Sequence, residues 1–393
     1  MQQYDAVIVG AGPAGLSTAI ELLRKGWQVL LLDKETLPRP KVCGGFLGPE
    51  NNKLLERCGV FEDLVSAGAH KVSKACLTAA NGASAKISIT LDGKKDYGLA
   101  VSRKLLDETL LARVKSYGGH VMDAVKIMNV EEGSVKKLIM RNLRGGSDKS
   151  IATKHLIYAN GVNRKTTSSS EAFCFGVSAM FEGVHEMNED VFLHFIEKGH
   201  LGTNRFEGGV TNVCYVADKK LFDSAGGNLE KVFQIFLEQN LHAFNQLSQA
   251  TRVTPWKGIY VPKPASPRFV ESGAFCVGDA VDVIHPIAGA GISLALSSGL
   301  LLGELMSQYT PESLPFEQVA KDYAKAWKKR FALRIKLSRV WAYLGHNVIL
   351  ANAVMRLFSF KKDLFDSVFK YHHRSLEFEF LNRKKEQRVH AGS

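Results

Sequence analysis

The sequence has no Cys-x-x-Cys pair; its six cysteines, Cys43, Cys58, Cys76, Cys174, Cys214 and Cys276, are scattered singly. That spacing argues against a zinc site and against a disulfide framework, so no metal is expected and a reducing compartment fits. No apolar run is long enough to cross a bilayer. The most apolar stretch, Ile287 to Met306, is interrupted by Gly289, Gly291, Ser293, Ser297, Ser298, Gly303 and Glu304, and reads as a buried helix. The first strand starts almost at Met1, so no signal peptide is expected, and a cytoplasmic location is expected. The absence of an internal repeat excludes a solenoid, and the absence of low-complexity segments excludes a disordered array. With 393 residues, 45% of them hydrophobic, the chain can bury a large core divided between two domains.

What is present is concentrated at the start. Tyr4 to Gly10 is a short apolar strand, and a helical pattern runs from Leu16 to Lys25. Between them lies Gly-x-Gly-x-x-Gly, with glycines at Gly10, Gly12 and Gly15. The pattern alone is weak, but a strand before it and a helix after it give the context of a dinucleotide fingerprint. Gly10 permits the tight turn, Gly12 lets backbone approach a diphosphate, and Gly15 lets helix and strand pack closely. Pro13 suits the first helical turn, and the free N–H groups around Pro13 and Ala14 face an anion. A second strand, Gln28 to Asp33, ends in an acid about 20 residues on, the distance expected for a ribose ligand, with Lys34 beside it. No second fingerprint follows a strand, so no separate nicotinamide domain is expected.

Downstream, Lys34 to Pro49 is a Pro- and Gly-rich loop that folds inward. Glu50 to Leu64 reads as a helix, and Lys71 to Ala100 as strands with a hairpin turn at Asp92-Gly93. Lys104 to Tyr117 is an amphipathic helix, and His120 to Ala159 a three-stranded meander. Arg164 to Glu171 is a polar linker. Strands are expected at Phe173–Phe181, Val191–Phe195 and Val210–Ala217, a helix at Asn228–Phe244, and a further strand at Trp256–Val261. Gly273 to Gly278 is a buried strand closed by Asp279, and the turn Pro286 to Gly291 opens the apolar helix. Residues 316–393 are largely helical.

Four stretches together resemble the p-hydroxybenzoate hydroxylase-like flavoprotein monooxygenase superfamily. They are the fingerprint, Ser102-Arg103 with Leu106-Asp107 and Leu110, Ala159-Asn160-Gly161 with Arg164, and Gly278-Asp279-Ala280 followed by Pro286, Gly289 and Gly291. The loop Pro38 to Gly45 is similar to that of the geranylgeranyl reductase-like branch. The resemblance implies an α/β fold. Its parts are a Rossmann-like FAD-binding domain of the glutathione reductase type (1–70, 98–165 and 270–310), an inserted antiparallel β-sheet substrate domain (71–97 and 171–269), and a basic helical C-terminal region (311–393). It implies FAD as cofactor and NAD(P)H as a transient reductant. Arg103 would lie beside the dinucleotide, and Cys43, Gly44 and Gly45 beside the reactive flavin face. This chain departs from the family at Asn160, where Asp is usual, and at Val281-Asp282, where many hydroxylases have Ala-His. The halogenases' Trp-x-Trp-x-Ile-Pro and the reductases' Tyr-x-Trp-x-Phe-Pro are both absent. The nearest local candidate is Gly199 to Phe206, which lacks both tryptophans.

Within that frame Asp279 is expected to accept a hydrogen bond from a sugar or ribityl hydroxyl as a charged acceptor. The Gly278 turn precedes it. The helix start at Pro286, Gly289 and Gly291 would face the flavin pyrimidine edge with its free N–H groups. Cys43 and His285 are the catalytic candidates: the thiol as a polarising contact, the imidazole as a base for a phenol. Phe46, Phe181, Phe206, Tyr215, Trp256 and Tyr260 are candidate walls of a pocket for an apolar small molecule. The expected activity is single-component, NAD(P)H-dependent hydroxylation of an aromatic or polyketide/quinone-type substrate with O2. Reduction of isoprenoid C=C bonds is the second reading, and a non-catalytic binding protein on the same fold the third.

Charge of one sign is confined to one end. Of a formal net charge of +12, the stretch from Lys321 to Ser393 holds 17 basic and 6 acidic residues, while the first 320 residues hold 34 and 33. Apolar residues recur by fours at Tyr323, Trp327, Phe331 and Ile335 among these cations, and Val348 to Phe360 follows as an apolar run. The pattern suits docking on an anionic membrane surface, peripherally on the inner face, or on an acidic carrier protein. No recognition motif for nucleic acid accompanies the charge.

Overall fold

The computed structural model describes residues 1–89, 97–162, 172–185, 190–262 and 266–360. The Asp92-Gly93 turn, Arg164 and its polar linker, and the tail beyond Phe360 lie outside the described residues.

An eight-stranded sheet forms the base of the molecule. Its parallel part runs in the order Ala274–Cys276, Lys149–Tyr158, Gln3–Val9, Val29–Leu32, His120–Met122. The strand Val29–Leu32 is buried at every residue, as a parallel strand covered on both faces must be. His120–Met122 is therefore an edge of the parallel sheet. The antiparallel meander begins only at Val125, where Val125–Glu131 pairs with Lys136–Asn142 and that with Lys149–Tyr158. Ala124, at φ 51°, turns the chain from one to the other.

Two helices stand with their N-termini at the same end of this sheet. Pro13–Leu23 follows the first strand, and Gly291–Met306 follows the last. They pack tightly because Gly299 and Gly303 bring the second helix against Ser17, Thr18 and Glu21 of the first. Ser17 Oγ donates to the Leu296 carbonyl at 3.2 Å across this contact.

A second eight-stranded sheet is mostly antiparallel. It draws strands from Lys74–Thr78 and Ser84–Ser88, and from Ala172–Glu182 through Lys257–Pro262. A small three-stranded sheet joins Phe46–Leu47, His70–Val72 and Gly98–Ala100 between the two, so the loop after Asp33 does fold inward. Two expected helices are each broken in two. The first splits into Asn51–Cys58 and Phe61–Ser66 because Gly59 ends the turn in a left-handed conformation (φ 71°). The second splits into Leu229–Gln239 and Leu241–Leu247 at extended Asn240, whose side chain accepts from Ala243 N–H and caps the next turn.

The chain then forms a long helix, Phe316–Gly345, and a shorter one, Val348–Phe360. Tyr323, Trp327, Phe331 and Ile335 are buried in the same core as the first helix and Phe275. This apolar spine packs against the first domain, so it is not a face that a membrane could meet. The opposite face exposes Lys325, Lys329, Leu333, Lys336, Val340 and Tyr343. No described helix is long and apolar enough to cross a membrane.

Candidate functional site

The first helix opens without a side-chain cap: its N-cap is Gly12 and Pro13 is the first helical residue. Its first N–H groups therefore lack a side-chain acceptor and suit an anion. The glycines divide the work. A Cβ at Gly10 would strike the Ala159 carbonyl, and one at Gly15 the Gly10 carbonyl. At Gly12 the nearest atom would be Arg103 Nη2, at 3.9 Å. Gly12 thus borders open space. Arg103 is buried and held by Asp107, to which Nε and Nη2 donate at 3.0 and 2.7 Å. Asp33, also buried, accepts from the N–H groups of Ala11 and Glu35 at 2.8 and 2.9 Å and from Arg39 at 3.0 Å. Its Oδ1 accepts one of these bonds and keeps capacity for a hydroxyl donor.

Lys41 completes the cluster. Burial pushes its pKa down, and the Arg103 charge adds to that effect. Burial pushes the Asp279 carboxyl up, against the opposing pull of Lys41 and Arg103. Asp279 makes no hydrogen bond to any described residue. Gly278, at φ 64°, packs against Ala14 and donates its N–H to Ser298 Oγ. The helix at Gly291 also starts without a side-chain cap, and a Cβ at Gly291 would meet nothing within 4 Å. Two uncapped helix starts, an open cradle at Gly12 and an unpartnered carboxylate fit an extended dinucleotide. FAD fits that donor set: Pro13–Ala14 would hold its diphosphate and Gly289–Gly291 its flavin.

Beside these loops lies a cavity of about 300 Å³. Cys43, Gly44 and the turn Pro286–Gly289 form one side of it. Most of the remaining wall is aliphatic: Leu77, Ile87, Ile89, Val177, Leu193 and Ile259 from the second sheet. Trp341, Leu344, Val354 and Met355 close it from the two C-terminal helices. Its polar edge comes from the strand Gly199–Arg205, which contributes His200, Thr203 and Asn204. Asn212 Nδ2 donates to the carbonyls of Cys43 and Gly44 at 3.2 and 3.0 Å, tying the loop to the second sheet. Asn204 Nδ2 is buried without a partner.

The structure sorts the residues expected from the sequence. Gly10, Gly12, Pro13, Ala14, Gly15, Asp33, Arg103 and Asp279 come together, as do Cys43, Gly44, Pro286 and Gly289. Gly45, at φ 65°, backs onto Phe206 behind the loop. Lys34 is not brought in: it is solvent-exposed beside Glu35. Arg39 and Lys41, which the sequence reading did not assign, take the place beside Asp33 and Asp279. Of the six aromatic candidates only Phe46 and Tyr215 line the cavity. Phe181 and Trp256 belong to the core beneath the helix Leu229–Gln239. Phe206 packs behind the cavity wall, in one cluster with Leu77, Ile87 and Phe195, without lining the cavity itself, and Tyr260 is exposed. His285 does not line the cavity either. Its Nδ1 accepts from Ile287 N–H at 3.2 Å, and its ring lies among Phe173, His200 and His346. Burial and the His346 charge push its pKa down to about 3. The histidine at the cavity is His200, and its signal in the sequence was the alternation of His200, Gly202 and Asn204 along one strand face.

A protein family described as FAD binding domain matches residues 3–310. Digeranylgeranylglycerophospholipid reductase 1 of Methanococcoides burtonii is 25% identical over 354 residues, covering 85% of this chain and 81% of that protein. A menaquinone reductase of Mycobacterium tuberculosis is 23% identical over 378 residues, covering 90% and 89%. Among solved structures, the flavin-dependent brominase Bmp2 superposes with a TM-score of 0.80 at 18% identity, covering 99% of this chain and 98% of the other, and so shares the fold.

Proposed function

The chain belongs to the FAD-binding-domain family, within the p-hydroxybenzoate hydroxylase-like superfamily, and on that premise we propose that this FAD-dependent oxidoreductase saturates a carbon–carbon double bond in an isoprenoid chain. The observation that carries the reading is the aliphatic cavity against Cys43, Gly44 and Pro286–Gly289. An apolar chain is held there by area and shape, and water is excluded. The names of the relatives, a digeranylgeranylglycerophospholipid reductase and a menaquinone reductase, support it. On sequence alone hydroxylation came first. We place reduction first because the wall beside Cys43 and Gly44 is mostly aliphatic, with Phe46, Phe195, Tyr215 and Trp341 as its aromatic members.

When bound, FAD supplies two-electron chemistry, with NAD(P)H as the proposed reductant. The chain's own residues do the rest. Arg39, Lys41 and Arg103 offset the diphosphate charge, and Asp279 orients a hydroxyl. The aliphatic wall places the double bond beside the Cys43–Gly44 backbone. In strict anaerobiosis, reduced protein should add two hydrogens to a geranylgeranyl lipid, read by mass. Product that gains an oxygen atom from labelled O2, with no anaerobic turnover, would restore the hydroxylation reading.

The same helices that wall the cavity support a docking proposal. Leu333, Val340, Tyr343, Ile349 and Leu357 are exposed large apolar residues on them, and Lys329, Lys336 and Arg339 stand exposed among them. We propose that this outer face, and not the buried spine, meets an anionic membrane carrying the substrate. The protein should co-sediment with phosphatidylglycerol vesicles, with each basic residue near the surface worth roughly 1 kcal/mol and the binding fading with salt. Equal binding to neutral and anionic vesicles would remove the electrostatic part. Binding to neither would leave an acidic carrier protein as the partner to test.

A further inference from the structure

We propose that His200 is the residue that delivers a proton inside the cavity, and that His346 positions it and renews that proton. The proposal rests on the reductive reading above and adds to it the group that completes the reaction.

Among the described residues no Asp, Glu, Lys or Arg lines the cavity. Of the groups that can exchange a proton there, Tyr215 is committed, its hydroxyl donating to the Leu229 carbonyl at 2.7 Å. Burial pushes the Cys214 thiol up to about 12. Cys43 Sγ accepts from Gly45 N–H at 3.3 Å. His200 is the lining side chain whose ordinary titration lies near neutrality. Its Nδ1 stands 2.8 Å from Nε2 of His346. One proton occupies that contact. When His346 carries it, the proton of His200 sits on Nε2, which makes no hydrogen bond to any described residue.

His346 is itself fixed. It caps the long C-terminal helix, and its carbonyl accepts from Lys198 N–H at 2.8 Å. Two residues on, Val348 N–H donates to Glu197 at 2.8 Å. The turn before the His200 strand is thus tied to the junction of the two helices that wall the cavity. The other ring faces around His200 belong to Phe195 and His285, at centroid distances of 6.1 and 6.4 Å. His285 stands outside the chain of transfer, because its Nδ1 is occupied by Ile287 N–H.

Burial holds His200 well below its ordinary pKa and His346 at about 4. Both rings are therefore neutral at pH 7. A neutral pair cannot store a proton, but it can pass one. As His200 Nε2 gives its proton to a substrate carbon, Nδ1 takes the proton of His346 Nε2, and His346 Nδ1 takes one from water, leaving hydroxide; once product departs, water entering the cavity returns a proton to Nε2 and the pair runs back to its starting tautomers. Saturating a double bond needs two electrons and two protons. The electrons and one proton come with the reduced cofactor, and the histidine pair delivers the second proton.

The test is His200→Gln, which keeps a polar amide of similar reach but cannot pass a proton. Anaerobic kcat on a geranylgeranyl lipid should fall about 10²–10⁴-fold, with KM and FAD content unchanged; His346→Gln should lower kcat in the same way. An unchanged kcat in His200→Gln overturns the proposal. A readout independent of turnover uses wild-type protein with 15N-labelled histidine. Adding geranylgeraniol should move one imidazole signal, the one that His200→Gln erases. If no prenyl lipid is reduced at all, the reductive reading fails by itself. If no imidazole signal of the wild-type protein moves, the present proposal is overturned, also where the variant does not fold.

Discussion

Gly12→Ala should yield a protein that melts like the parent but holds little FAD, whereas Gly15→Ala should not accumulate in folded form. The two glycines stand three residues apart in one motif, yet their surroundings differ. A Cβ at Gly15 would fall on the Gly10 carbonyl and 3.1 Å from Ala159 Cβ. That carbonyl cannot easily turn away, because the N–H of the same peptide unit, that of Ala11, donates to Asp33 Oδ2 at 2.8 Å. Relief would require the first helix to leave the sheet, and Pro13 to Leu22 are all buried. Overpacking of this kind costs roughly 3 kcal/mol or more. A Cβ at Gly12 meets only Arg103, at 3.9 Å, so folding has nothing to lose. The methyl group instead occupies the space through which a diphosphate must approach the helix N-terminus. Thermal melting and the flavin released on denaturation separate the two effects. Full flavin occupancy in Gly12→Ala would mean that the diphosphate lies elsewhere.

Arg334→Met should lower stability by about 3–5 kcal/mol. Arg334 reaches from the long C-terminal helix into the core, where its Nη2 lies 3.4 Å from Glu50 Oε1; the side chains are 3% and 1% exposed. Burial pulls the Arg334 pKa down, and the nearby Glu50 charge opposes it. Glu50 Oε1 also accepts from Ser293 Oγ at 3.3 Å, in the first turn of the helix Gly291–Met306. Removing the cation leaves a carboxylate buried without that charge, which costs far more than the pair contributes. Replacing both, as Glu50→Leu with Arg334→Met, should recover most of the loss, since apolar substitutes for a buried pair are often neutral or better. Denaturant unfolding of the three variants reads this directly. A single variant within about 0.5 kcal/mol of the parent would show that the pair does not hold the helix. Because Ser293 follows the open start at Gly291, FAD retention should fall with stability in Arg334→Met and return in the double variant.

The sequence by itself determined the turns and helix starts that the fold gathers at one end of the first sheet. The turn at Gly10–Gly15, the strand-end acid Asp33 and the helix start at Gly291 were legible because each is a short-range device, whereas Arg103 entered only through the family resemblance. A turn, a helix start or a strand-end carboxylate is dictated by residues within one motif, and the motif carries its geometry with it. Tertiary structure decided the rest. Phe181 and Trp256 were read as pocket walls, but they face the helix Leu229–Gln239 on the other side of their sheet. The spine Tyr323, Trp327, Phe331 and Ile335 has the spacing of a membrane-facing stripe, yet it is buried against the first domain. His285 sits next to Pro286 in sequence, but its Nδ1 turns back to Ile287 N–H. His200 reaches the cavity instead, through a strand whose partner in the hydrogen bond lies 146 residues away. Periodicity shows that a residue has an apolar or polar face to share. Which neighbour receives that face is settled by long-range packing, and no local pattern encodes it.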